Sequence, residues 1–327
     1  MLIISHSKVR ELLPMRDCME VVGDALSDLS HGEGVQPLRS GILRPDRGGV
    51  LAWMPGSLAA GRPFGIKVLS VVDNPGELGV ESHQGGVMIF DTATGAPLAL
   101  CEAGAITAVR TAAVSALATD RLARTESEIL AILGAGAQAS SHIEAMLEVR
   151  EISSIRVWSR DAEKVRRFAE EQTNRFGVTV EPAASVASAV TGADIVCTTT
   201  SAREPILFAE MLEPGMHINA VGASIPSWRE IDTDILPRVT LFTDRRESLA
   251  NEAGEYIKGL EEGFIETGLV VPEIGEVLND DHPGRTSETE ITLFRSLGLA
   301  VEDIASAQLV YERAIARNIG TSVDLDS

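Results

Sequence analysis

Two glycines and a small set of basic side chains are the residues of this chain whose types and spacing could do chemistry. Gly134 and Gly136 follow the apolar run Ile129–Leu133 and precede a stretch of helical composition that ends near Val149. Glycine lets the backbone approach a pyrophosphate, and the N-terminus of the next helix stabilises its charge. Ala139 stands where the usual fingerprint has its third small residue. The pattern predicts dinucleotide binding, and a structural turn of the same shape is the alternative.

The end of the next predicted strand bears on which dinucleotide binds. An acidic residue there usually holds the ribose 2′-hydroxyl of NAD, whereas a guanidinium pairs well with the 2′-phosphate of NADP. Here Ser159 stands at that place and Arg160 follows it. We therefore expect NADPH. Asp161 keeps NADH open, because a shift of one residue would make it the ribose ligand, and Arg160 has the alternative of a solvated surface charge.

Three basic side chains are candidates for binding a substrate anion. Lys67 lies inside the apolar run Phe64–Val72, Arg110 is the lone charge of an alanine-rich helical stretch, and Arg39 precedes the first strand of the region. A cation among apolar residues is expensive to bury without a partner. Each therefore binds an anion, forms a structural ion pair or faces solvent. Three cations converging beside a nicotinamide would bind a carboxylate.

Two polar stretches contain further candidate residues of a functional site. Ser82 and His83 begin a small polar island between predicted strands, for which a surface loop is the alternative. The stretch 219–230, which contains Ser224, follows a strand at the predicted carboxyl edge of a sheet. Ligands of open α/β folds bind at that edge, although a plain loop is the alternative.

Two kinds of elements must position these residues. Short apolar runs over residues 39–102, with a hairpin turn at 92–95 and helices on either side, predict an α+β domain with a largely antiparallel sheet. From residue 126, strand-like runs alternate with helical segments, which predicts a Rossmann-type doubly wound parallel sheet. An amphipathic stretch over 297–316 is placed to pack back on the first domain. The expected division is 1–121 plus 300–327 for substrate binding and dimerisation, and 122–299 for the dinucleotide.

Composition excludes several classes of partner. The 327 residues carry a net charge of −20, which argues against nucleic acid and against an anionic membrane surface. The three cysteines are far apart and read as free thiols in a reducing compartment, and the histidines show no metal-ligand spacing. With no signal peptide and no apolar run of membrane length, we expect a cytoplasmic protein without a metal.

Taken together, the motifs resemble those of the ornithine cyclodeaminase/mu-crystallin family along nearly the whole chain. Within the family the resemblance is to the mu-crystallin branch, through Ala223-Ser224, Trp228-Arg229-Glu230 and Ser82-His83-Gln84. The wider resemblance rests on Lys67 in its strand and on the stretches 109–116, 134–139, 204–207, 217–224 and 294–303.

The resemblance implies a homodimer and assigns roles by matching positions. Arg39, Lys67 and Arg110 would bind the substrate carboxylate, with Ser82 and His83 lining the pocket. The cofactor positions are Gly134, Ala135, Gly136, Ala137 and Gln138 at the pyrophosphate, Ser159, Arg160 and Asp161 at the adenosine end, and Thr199, Ser201, Val221 and Ser296 toward the nicotinamide.

Ser224 decides between reactions within the resemblance. Ornithine cyclodeaminases carry an aspartate at the matching position, and a serine cannot act as a carboxylate base. The expected activity is therefore NAD(P)H-dependent reduction of cyclic imino acids, with Lys67, Arg110 and Ser224 as the catalytic set. Either Lys67 or a water near Ser224 and His83 would supply the proton. Ornithine cyclodeamination, alanine-type dehydrogenation and a non-enzymatic crystallin-like role binding NADPH and a small ligand are the alternatives.

Overall fold

The computed structural model describes residues 1–45, 49–72 and 83–325, together with the backbone but not the side chain of His83. Ser82, one of the predicted pocket residues, lies outside the described residues. The chain divides into two compact units, Met1–Arg110 with Gly298–Ser327, and Thr111–Leu297.

The described helices and strands follow one another along the chain as follows. The helices are α1 (His6–Leu12), α2 (Met15–Ser30), α3 (Ala103–Leu122), α4 (Ala137–Val149), α5 (Ala162–Phe176), α6 (Val186–Val190), α7 (Arg246–Glu252), α8 (Gly254–Glu262), α9 (Ile274–Leu278) and α10 (Ala300–Arg317). The strands are β1 (Leu2–Ile4), β2 (Ser40–Leu43), β3 (Gly49–Ser57), β4 (Phe64–Val72), β5 (His83–Phe90), β6 (Pro97–Glu102), β7 (Ile129–Leu133), β8 (Ser154–Trp158), β9 (Val180–Pro182), β10 (Ile195–Thr198), β11 (His217–Ala220), β12 (Thr240–Thr243), β13 (Thr292–Arg295) and β14 (Thr321–Ser322).

The first unit contains a sheet in the order β14-β1-β6-β5-β4-β3-β2. Its pairs are antiparallel except for β1 with β6, so the largely antiparallel α+β expectation is confirmed. The predicted hairpin turn lies between β5 and β6, where Gly95 has a φ of 72° and the Asp91 carboxylate accepts the Thr94 N–H. Helix α10 packs against β3 to β6. It begins at Ala300, three residues later than expected, because Gly298 has a left-handed φ of 81°.

Strand β2 was not predicted, and it forms one edge of this sheet. Its Ile42 and Leu43 side chains are 58% and 77% exposed. An exposed apolar edge strand is a template for pairing with another chain.

The second unit contains an all-parallel sheet in the order β12-β13-β11-β10-β7-β8-β9. This confirms the predicted Rossmann-type sheet. Strand β7 is buried because its apolar run has neighbours on both sides, β8 and β10. The chain proceeds outward from β7 in both directions, which makes the β7/β10 boundary the switch point where ligands of this fold bind. The sequence predictions omitted β9, β13 and helices α7 to α9.

Across residues 1–45, 49–72 and 83–325, no helix has both the length and the apolar character that crossing a bilayer requires. Cys18, Cys101 and Cys197 are buried and unpaired, as the sequence predicts. The same part of the chain holds no group of three or more His, Cys, Asp or Glu side chains placed to bind a metal ion.

Candidate active site

The glycine turn between β7 and α4 has the local geometry that a pyrophosphate site needs. Gly134 has a φ of 132°, and a Cβ there would lie 2.6 Å from the Thr199 hydroxyl. Gly136 is exposed, and a Cβ there would meet no described atom within 4 Å. The first turn of α4 has no side-chain cap and no acidic residue, so no described carboxylate of that turn competes for the helix N-terminus. These features fit an anion.

The predicted adenosine-end residues lie between β8 and α5. Asp161 caps α5, because one of its carboxylate oxygens accepts the N–H groups of Glu163 and Lys164, each at 3.0 Å. The Lys164 N–H, with that of Glu163, lowers the pKa of Asp161. Arg160 is exposed and forms no side-chain hydrogen bond or ion pair with the described residues. Asp161 thus has a structural role, while the Arg160 guanidinium is available for a ligand.

The other predicted cofactor residues also lie at the carboxyl ends of neighbouring strands. Thr199 and Ser201 follow β10, Val221 and Ser224 follow β11, and Ser296 follows β13. Since β13, β11, β10, β7 and β8 are consecutive in the sheet, the topology brings the whole predicted cofactor set to one edge. Ser296 is buried, and its hydroxyl has no partner among the described residues.

A buried carboxylate with no role predicted from the sequence connects two of these strand ends. Glu230 accepts hydrogen bonds from the Thr200 N–H and hydroxyl, both at 2.6 Å, from the Thr198 hydroxyl at 2.7 Å and from the Gly222 N–H at 2.6 Å. Burial raises the pKa of Glu230, and the four donated bonds oppose that rise. Gly222 must lack a side chain, because a Cβ would lie 2.6 Å from the carboxylate. Glu230 therefore fixes the loops after β10 and β11.

The predicted cations of the first unit converge on two carboxylates of α10. The Lys67 Nζ atom lies 2.6 Å from Asp303 Oδ2, and the Arg110 Nε atom donates to Asp303 Oδ1 at 2.9 Å. Arg110 Nη1 donates to Glu302 Oε2 at 2.6 Å. All four side chains are buried. The sequence left open whether Lys67 and Arg110 are paired, and the structure pairs both.

Burial and neighbouring charge act in opposite directions on these cations. Burial lowers the pKa of Lys67, Arg110 lowers it further and Asp303 partly restores it, so that the pKa is about 8. Burial also opposes the charge of Arg110, but Asp303 and Glu302 outweigh it and raise the pKa of the guanidinium. Arg110 thus remains a fixed cation, while Lys67 titrates near pH 8.

Arg39 joins this cluster through Gly298. The half-buried Arg39 donates from Nη2 to the Gly298 carbonyl at 3.1 Å, and its charge also lowers the pKa of Lys67. A Cβ at Gly298 would lie 2.5 Å from Arg110 Nη1, so only glycine permits this approach. The three predicted carboxylate ligands are therefore neighbours in the first unit. His83 begins β5, the strand beside β4, which carries Lys67.

Glu302 and Asp303 were not assigned a role from the sequence. The available signal was two adjacent acids inside the stretch 297–307, which is otherwise apolar or small. Acidic residues are also common in the first turn of an exposed helix, so this signal does not distinguish a surface from a buried pair.

The parallel sheet with a glycine turn at its switch point defines the class of dinucleotide-binding α/β proteins. The family model of the ornithine cyclodeaminase/mu-crystallin family matches residues 1–318, and the chain belongs to this family. This confirms the resemblance found in the motifs.

Three relatives illustrate the similarity. Ketimine reductase mu-crystallin of Mus musculus is 40% identical over 291 residues, which cover 88% of this chain and 89% of the mouse protein. Delta(1)-pyrroline-2-carboxylate reductase of Bacillus cereus (strain ZK / E33L) is 34% identical over 325 residues, 99% of this chain and 100% of the relative. The structure of Thermococcus litoralis Delta(1)-pyrroline-2-carboxylate reductase in complex with NADH and L-proline matches with a TM-score of 0.96 and 36% identity, covering 99% of this chain and 100% of that one.

Proposed function

We propose that this protein is an NAD(P)H-dependent ketimine reductase that reduces cyclic imino acids. The substrates would be Δ1-pyrroline-2-carboxylate and Δ1-piperideine-2-carboxylate, and the products L-proline and L-pipecolate. The observation that carries the proposal is the buried pair of Lys67 and Arg110, held side by side by Asp303. In the same chain, a glycine turn suited to a pyrophosphate opens α4, and the relatives reported above are named as reductases of this kind.

The cation cluster supplies the affinity for the substrate carboxylate. Arg110 provides a permanent charge with a planar array of donors, which matches a carboxylate. Lys67 and the half-buried Arg39 add two further cations, one of which titrates near pH 8. Both Lys67 and Arg110 are already buried, so an incoming carboxylate meets charges whose geometry is fixed before binding.

The second unit would hold the dinucleotide through Gly134 to Gln138, with Thr199, Ser201, Val221 and Ser296 toward the nicotinamide. When bound, the reduced dinucleotide supplies the hydride. Arg160 favours NADPH, because its free guanidinium suits a 2′-phosphate and Asp161 is engaged as a helix cap. NADH, which is present in the Thermococcus litoralis structure, is the alternative.

An imine accepts hydride well only when its nitrogen is protonated. Lys67, whose pKa is about 8, carries a proton for this purpose at neutral pH. A water bound at Ser224 would be the second candidate donor. Ser224 has no carboxylate with which to act as a base, which favours imine reduction over cyclodeamination.

The proposal extends to assembly and location. The first unit would bind substrate and form a homodimer, and the exposed apolar edge strand β2 supports pairing with a second copy. The buried, unpaired cysteines support a reducing compartment, for which we propose the cytoplasm. The net charge of −20 gives no support to nucleic-acid or membrane partners.

The test is a spectrophotometric assay of NADPH and NADH oxidation with five- and six-membered cyclic imino acids. We expect oxidation with at least one imino acid, at a higher kcat/KM for NADPH. Binding of the dinucleotide without oxidation across the panel would support a non-enzymatic role, and release of ammonia from ornithine would support cyclodeamination. Either result would overturn the proposal.

A further inference from the structure

We propose that Asp303 is a positioning residue that sets the spacing and the charge of the two cations that bind the substrate carboxylate. This inference rests on the function proposed above. It assigns a role to a residue that touches the cations rather than the substrate.

The geometry of one carboxylate carries the inference. Asp303 places one oxygen 2.9 Å from Arg110 Nε and the other 2.6 Å from Lys67 Nζ. The two cations approach from different oxygens of the same group, so their separation is set by the width of a carboxylate. A bridging anion also offsets the repulsion that two buried cations would otherwise exert on each other.

The start of α10 fixes Asp303 in place. The side chain of Gln36 accepts the Val301 N–H at 3.1 Å, which holds the first turn of the helix. The Asp303 side chain has no exposed surface, so it has little freedom to rotate away from its partners. The helix N-terminus favours a carboxylate in its first turn.

Asp303 also keeps Lys67 charged. Among the described residues, Arg110, Asp303 and Arg39 are the charged side chains that shift the pKa of Lys67 most. Glu302 bonds to Arg110, and Cys18 is near the charges of Arg110, Glu302 and Asp303. Burial and the two arginines act against the ammonium form, whereas Asp303 favours it both by its charge and by its hydrogen bond. Removing the Asp303 charge should therefore deprotonate Lys67 at lower pH.

The experiment compares Asp303→Asn with Glu302→Gln, an adjacent buried control. Both substitutions remove one negative charge from the first turn of α10 and nearly preserve shape. Only the first removes the bridge between Lys67 and Arg110, because Glu302 bonds to the other side of the guanidinium. The readout is the pH dependence of kcat/KM for the imino acid, with the dinucleotide saturating.

In the wild type, substrate capture should weaken as the pH rises through about 8, the pKa of Lys67. The fall of kcat/KM at high pH is the alkaline limb of the profile. We expect Asp303→Asn to move the midpoint of this limb to lower pH by about 1 to 3 units, the usual effect of an opposite charge at this distance. Glu302→Gln should move it less. An alkaline limb that stays at the wild-type pH in Asp303→Asn, or that moves equally in both variants, overturns the inference.

Two further measurements keep the inference distinct from folding and from the proposed reaction. Asp303→Glu keeps the charge but moves it, so it should retain the alkaline limb and raise KM. A lowered limb in Asp303→Glu would contradict the charge role. If the wild type reduces no imino acid, the proposed function fails, and the inference is then tested by calorimetric binding of pyrrole-2-carboxylate at several pH values. Affinity in Asp303→Asn that equals wild type at each pH overturns it.

Discussion

Gly136→Ala places a methyl group in the open space before the first turn of α4. The backbone angles of Gly136, φ −126° and ψ −166°, are open to alanine, and the added Cβ would meet no described atom within 4 Å. Alanine is a poor N-cap, which lowers the free energy of unfolding by about 1 kcal/mol. The reduced conformational freedom of the unfolded chain raises it by about 0.4–1 kcal/mol. We therefore expect the melting temperature to stay near that of the wild type.

The same methyl group should weaken dinucleotide binding. If a pyrophosphate occupies this space, the overlap costs about 1–3 kcal/mol, by analogy with overpacking of a core. At about 1.4 kcal/mol for each tenfold change, the Kd for NADPH should rise between about 5-fold and 150-fold. The measurement is a fluorescence titration with NADPH, beside thermal unfolding followed by circular dichroism.

Gly134→Ala is the matched comparison, two residues away in the same turn. Here φ is 132° and the Cβ would lie 2.6 Å and 2.7 Å from two oxygens of Thr199. Backbone strain of about 1–3 kcal/mol and overlap of a similar size should lower the melting temperature by about 4 °C or more. Wild-type affinity for NADPH in Gly136→Ala would refute the assignment of this turn to the pyrophosphate. An equal loss of stability in both variants would show that the surroundings of Gly134 and Gly136 do not differ as described.

Three further predictions follow from exposed and buried groups. Arg160→Ser should raise KM for NADPH by about tenfold or more and leave NADH kinetics nearly unchanged, and equal effects on both would argue against 2′-phosphate binding. Glu230→Gln turns an amide NH2 group toward two of the four donors, because each carboxylate oxygen accepts two of them. The free energy of unfolding in urea should therefore fall by about 1–3 kcal/mol, and KM for the dinucleotide should rise. If the carboxylate does not fix the strand ends, neither the free energy of unfolding nor KM for the dinucleotide should change. Leu43→Lys on the exposed edge strand should shift a dimer toward monomer in light scattering, and an unchanged dimer would exclude β2 from the interface.

Strong local signals explain what could be predicted. Strands β4 and β7 have the limits of the apolar runs Phe64–Val72 and Ile129–Leu133, because turn residues on either side leave little choice of where each strand begins and ends. The turn at Gly134 was predicted for the same reason, since a buried strand precedes it. Thr199, Val221 and Ser296 then lie at one edge of the sheet, because the carboxyl ends of parallel strands share an edge.

Short or polar-ended segments explain what was missed. Strand β13 is four residues long and ends in Arg295, so it resembles a loop until β11 and β12 pair with it. Strand β2 is exposed at every position and shows no buried alternation. In both cases the pairing partners, rather than local preference, decide the structure.

The carboxylates of the candidate site were missed for a different reason. Asp303 contacts Arg110, which is 193 positions away in the chain. The apolar residues around a cation indicate that it needs a partner if it is buried. They do not identify that partner when it lies so far away in the chain. Glu230 is similar, because its four donors become neighbours only when two strands end side by side.

The balanced group of Lys67, Arg110, Glu302 and Asp303 has a consequence for how this protein can change over evolution. Removing one member of a buried ion pair costs about 3–5 kcal/mol, a large part of the roughly 5–15 kcal/mol that keeps a domain folded. A lineage that replaces any one of the four passes through a poorly stable intermediate. The four positions should therefore be inherited as a block, and new substrate preferences should arise from residues around the block.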